Sequence, residues 1–261
     1  MTVEASFAAP RVRRFPVVES SVFCVVAAAA WLVTIAEARH MGVMPGTMGL
    51  GFVGFIGTWA LMMVAMMLPS VAPLASLYTA TMRDHRTLRT VLLVAGYLAV
   101  WTATGVVAFA AAAGADRLAT NAPGWAQSVA VVTCLACGVY QMTPVKEACL
   151  RHCRSPLGHL MRFASFRGPL ADVRVGFEHG GWCLACCWSL MLLFVAFGVM
   201  NVFAMIVLAA VILVEKVVAP GRWFSITVGI VAFALAIAIW AHPALAPGLH
   251  APSSPMTTGT M

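Results

Sequence analysis

The chain has 261 residues, 62% of them hydrophobic and 10% charged, with a mean hydropathy of +0.93. A soluble domain carries about 25% charged residues, so a soluble globular protein is excluded, and disorder is excluded except at the two ends. The formal charge of +7 would suggest nucleic acid in a soluble protein; here it is read through the loops between membrane spans, and no nucleic-acid partner is called for.

Residues 1–19 form an arm carrying Arg11, Arg13 and Arg14, and the first apolar run follows from Ser20 to Ala38. Arm and run fit both a signal anchor and a signal peptide cleaved near Ala36-Glu37-Ala38; the further spans behind them favour the uncleaved form. The second run is Gly49 to Leu68, with Pro69 as its expected stop, the third Thr90 to Ala113 and the fourth Ala126 to Met142. The polar stretch 143–178 reads as a loop. A fifth run extends from Gly181 to Met200, a sixth from Val202 to Val218 and a seventh from Trp223 to Ala241. A crossing takes about 20 apolar residues. The expected fold is therefore all-α, a polytopic transmembrane helical bundle of about seven spans, with one domain over 20–241 and a disordered tail over 242–261.

Seven spans place alternate loops on opposite sides of the membrane. Fourteen of the sixteen basic residues fall on one side: in the arm, after the second run, in 143–178 and after the sixth run. Only Arg39 and Arg117 fall on the other. The positive-inside rule then makes the N-terminus and the 143–178 loop cytoplasmic and puts the tail on the far side.

Five of the eight cysteines stand in two tight groups, Cys149-x-x-x-Cys153 and Cys183-x-x-Cys186-Cys187. On a helix, residues three and four apart have Cβ atoms about 5–6 Å from each other, so each group can present two sulfurs to one ion. The fourth run ends, and the fifth begins, at the same membrane face, so the groups can meet. Thiolates select Cu(I) or Zn(II). The basic neighbours Lys146, Arg151 and Arg154, with His152, favour thiolates for metal binding and for thiol exchange alike. Cysteine as a small packing residue is the plain alternative, and it is the preferred reading for Cys24, Cys134 and Cys137.

The second run ends in Met62-Met63 and Met66-Met67. Met62 with Met66, and Met63 with Met67, are thioether pairs at helical spacing, suited to Cu(I) and poorly suited to Zn(II), although methionine also serves simply as packing. Glu215 and Lys216 near the end of the sixth run read either as an interface ion pair or as a functional site. Tyr140 and Gln141 are candidates for hydrogen bonds between helices. His152 and His179 flank the cysteines and are weaker candidate ligands. No phosphate-binding loop and no catalytic triad is legible.

The segments Trp59 to Pro69, Tyr140 to Lys146 running into Cys149, Cys153 and Arg154-Ser155-Pro156, Gly176 to Met191, and Glu215-Lys216 together resemble a bacterial family of predicted metal-binding integral membrane proteins, domain of unknown function 2182. The resemblance covers about Ser20 to Pro220, with Ala185 where the family pattern has Gly. It implies an all-helical membrane protein with a metal site and supplies no demonstrated activity.

The expectation is a multi-pass protein of the bacterial inner membrane, in contact with lipid. Its expected function is to bind a soft metal at a cytoplasmic-face site of Cys149, Cys153, Cys183, Cys186 and Cys187 with Met62 and Met66. Cu(I) is expected ahead of Zn(II), for transport, delivery or cofactor assembly, with a metallochaperone or membrane protein as partner and no enzymatic role. The alternatives are a membrane thiol-disulfide oxidoreductase, whose disulfide would be transient in the reducing cytoplasm, and a structural subunit of a membrane assembly.

Overall fold

The structure, a computed structural model, describes residues 17–41, 46–81, 84–154, 170–218 and 222–249. The helices are α1 (Val17–Met41), α2 (Phe52–Thr81), α3 (Arg86–Asn121), α4 (Pro123–Met142), α5 (Pro144–Arg154), α6 (Ala171–Phe197), α7 (Val202–Leu213) and α8 (Arg222–Ala241). A π turn, Val214–Val218, extends α7, and a short 3-10 turn, Pro243–Leu245, follows α8. Among the described residues there is no strand, and six helices are long and apolar enough to cross a membrane. The expected sixth run is the exception: α7 is 12 residues long, and its π turn adds only 5.

Three further expectations change. Pro69 does not stop α2, which runs through Pro69 and Pro73 to Thr81. Each proline removes a backbone donor and leaves the carbonyl four residues earlier, Ala65 or Pro69, without its helical partner, a cost that membrane helices tolerate. Ser70 Oγ donates to Met67 O at 2.8 Å and Ser76 Oγ to Pro73 O at 3.0 Å in the same turns. The polar stretch 143–178 is not simply a loop, since it contains α5 and the first turns of α6, which starts ten residues before Gly181. The middle of that stretch, 155–169, and the arm lie outside the described residues. The tail expected to be disordered is docked as far as residue 249: Ala246 and Leu249 are buried, and Gly248 N donates to Ala196 O at 3.0 Å. Residues 250–261 lie outside the description.

Helices α3 and α6 run parallel and touch backbone to backbone. A Cβ on Gly176 would collide with Leu93 O, and one on Gly96 would collide with Val173 O. Gly176 and Gly180 form a small-xxx-small stripe, the device that lets membrane helices approach closely without a hydrophobic driving force. Helices α4 and α8 meet in the same way, with Gly138 and Gly229 facing each other's carbonyls. Gln127 Nε2 donates to Trp240 O at 2.9 Å at one end of that pair, and Arg222 Nη2 to Met142 O at 3.2 Å at the other. The second end also holds Arg86, Arg89, Lys146 and Arg154, and it is there that α5 folds over the bundle.

Candidate metal centre

Helix α5 is set by its first residues. Thr143 Oγ1 accepts from Lys146 N at 3.2 Å, as an N-cap hydroxyl does, and Pro144 occupies the first helical position. Lys146, Cys149, Leu150 and Cys153 then recur at three- and four-residue steps and form one face. Lys146, Cys149 and Leu150 are buried and Cys153 is half-buried, while Arg151 and His152 are exposed. In α6 the buried stripe continues from Gly176 and Gly180 into Cys183, Cys186, Cys187, Leu190 and Phe194. The two faces meet, and Cys153 Sγ lies 3.7 Å from Cys186 Sγ. His152 stacks on Trp182 with ring centroids 4.2 Å apart, which holds α5 against α6 on the solvent side.

The sulfurs differ in their partners. Cys183 Sγ lies 2.6 Å from Lys216 Nζ and 2.9 Å from Tyr97 Oη. Cys186 and Cys187 turn their thiols back onto their own helix, both reaching Cys183 O, at 3.1 and 2.8 Å. As they stand, no three Cys, His, Asp or Glu side chains among the described residues are gathered to hold a metal ion. With two thiols turned onto a backbone carbonyl, side-chain rotation is required before three sulfurs converge. In α5, burial and then the adjacent Cys186 hold the Cys149 thiol above its usual value. The Cys186 hydrogen bond and then burial hold Cys153 well above its own.

All four methionines of α2, Met62, Met63, Met66 and Met67, are buried. Their turn is tied to the cysteines through Tyr97, whose hydroxyl contacts Ser70 Oγ at 3.1 Å and Met67 O at 3.5 Å as well as Cys183. Cys134 and Cys137 are buried in α4 and Cys24 is exposed in α1. His179 is buried in α6, its ring 5.9 Å from that of Tyr97. Tyr140 bonds to Ala185 O at 2.5 Å and so does join two helices.

Of the two readings of Glu215 and Lys216, the ion pair between them is not formed. Adjacent residues on a helix do not face each other, and the π turn sends them to different partners. Glu215 Oε2 takes Lys146 Nζ at 2.7 Å, and its Oε1 takes Ser225 Oγ at 3.0 Å and Gln141 Nε2 at 3.3 Å. Arg154 donates to the Glu215 carbonyl. Lys146 and Glu215 are 1% and 2% exposed, so this is a deeply buried ion pair joining α5 to the π turn. Lys146, Lys216 and Tyr97 are not among the ligands expected from the sequence. The i, i+1 rule was the available signal that Glu215 and Lys216 serve two sites.

No curated protein and no solved structure matches the chain. A family profile, PpoB2, described as copper chaperone, matches residues 56–239, from the first turn of α2 to the last of α8. That span is more than two thirds of the chain and includes every cysteine of both groups and the methionine turn. The chain belongs to the PpoB2 family of copper chaperones.

Proposed function

We propose that this protein binds Cu(I) at the meeting of α5 and α6 and hands it on within or beside the membrane. Its donors are drawn from Cys149, Cys153, Cys183, Cys186 and Cys187, with Met62 or Met66 supplying a thioether. The observation that carries this reading is the 3.7 Å approach of Cys153 to Cys186. With metal–sulfur bonds of about 2.3 Å, two sulfurs at that separation subtend about 107° at a shared ion, a bent arrangement that needs a third donor. Soft thiolates and thioethers suit Cu(I) better than Zn(II), which gains nothing from methionine. The basic end of the bundle is the cytoplasmic face of a bacterial inner membrane, so copper is collected from the cytoplasm through half-exposed Cys153, the most accessible of the five sulfurs.

The thiol-disulfide alternative draws on the same pair of sulfurs, but Cys183, Cys186 and Cys187 are at most 1% exposed, a poor placement for exchange with a protein substrate. Copper retention by anaerobically purified protein discriminates between the two. Wild type keeps about one equivalent, while Cys153→Ser and Cys186→Ser lose it. Met62→Leu with Met66→Leu nearly preserves volume and weakens Cu(I) without changing Zn(II). Full copper retention in both serine variants would sink the assignment.

A further inference from the structure

Lys216 reaches into the cysteine cluster from the π turn, with its Nζ 2.6 Å from Cys183 Sγ. Lys146, the fully buried lysine at this end, is neutralised by Glu215 at 2.7 Å. Arg154, at the half-buried rim, is committed to the Glu215 carbonyl. Among the described residues, Lys216 is therefore the ammonium that faces the sulfurs without a carboxylate partner. In a site shielded from water, a net charge is expensive and a neutral assembly is favoured.

We infer that Lys216 is the specificity-determining residue of the site: its fixed positive charge makes an assembly of two thiolates, one monovalent soft cation and a neutral thioether electrically neutral, and so rejects divalent ions. The inference rests on the copper-binding reading above. Two thiolates and Cu(I) sum to minus one, and the ammonium brings this to zero. With Zn(II) the same donors and Lys216 sum to plus one, whereas without Lys216 they sum to zero. The charge rule also explains why the third donor required by the bent Cys153–Cys186 geometry is a methionine. A third thiolate would restore neutrality for Zn(II) and remove it for Cu(I).

Anoxic competition titrations of the full-length protein in detergent, with Cu(I) and separately with Zn(II) as probes, test this on wild type, Lys216→Gln and Lys216→Arg. Lys216→Gln is expected to weaken Cu(I) by at least about tenfold and to strengthen Zn(II), because the charge removed lies at contact distance from a sulfur in a partly shielded site. Lys216→Arg keeps the wild-type order. If the glutamine variant fails to fold, Lys216→Leu replaces it with the same expectation. Loss of both metals in parallel, or no change in their ratio, overturns the role of Lys216 while leaving copper binding in place. Wild type that binds no Cu(I) overturns the copper-binding reading itself.

Discussion

At the scale of single residues, the strongest constraint is the buried Lys146–Glu215 pair. Removing one member of such a pair leaves an uncompensated charge and costs about 3–5 kcal/mol, whereas replacing both is far milder. Lys146→Met should therefore lower the thermal stability of the detergent-solubilised protein sharply, and adding Glu215→Gln should restore most of it. A double variant no better than the single one would show that the pair is not coupled. The thiols of α5 give a second prediction. Cys149 and Cys153 are held above their usual values, so both are protonated near neutrality and must lose a proton to ligate a metal. Apparent Cu(I) affinity should then rise as pH rises from about 6 to about 8, with competing protons progressively removed. Cys149→Ser should flatten that slope, as measured by Cu(I) competition across the range. At this scale the grouping of the sulfurs was legible from spacing, because Cys149 with Cys153 and Cys183 with Cys187 are one helical turn apart, and the structure brings Cys153 to 3.7 Å from Cys186. Tyr97 was not, since nothing local in α3 marks a tyrosine as the contact of a thiol 86 residues away.

At the scale of elements, the α3–α6 contact positions the site, because it sets how far Tyr97 stands from Cys183. Gly176→Val should separate these helices and abolish the folded, monodisperse protein, as judged by size-exclusion chromatography in detergent. Gly114→Ala on α3, where an added Cβ meets nothing within 4 Å, should leave the protein folded and at least as stable, by up to about 1 kcal/mol of helix propensity. Equal behaviour of the two variants would count against close packing as the organising contact. The long apolar runs announced the spans, since hydropathy and length decide membrane crossing almost unaided. Helix ends were harder to read. Pro69 looked like a stop, but a membrane helix tolerates proline and α2 continues to Thr81. The polar start of α6 was hidden because Arg174 and Glu178 lower hydropathy without lowering helix propensity.

For the whole molecule, topology and metal chemistry have to agree. Reporter fusions at residue 154 and after residue 249 should report opposite sides, with residue 154 cytoplasmic. Such a result requires the 17 residues of α7 and its π turn to cross, a span short enough to need local thinning or snorkelling at its ends. Two fusions on the same side would make α7 re-entrant and leave six crossings. An all-sulfur copper site where α5 meets α6 is open to X-ray absorption at the copper edge of the Cu(I)-loaded protein. The expected first shell is three sulfurs at about 2.3 Å, falling to two when Met62 and Met66 are both replaced by leucine. A shell of nitrogen or oxygen donors, or a linear pair of sulfurs in the wild type, would overturn the site.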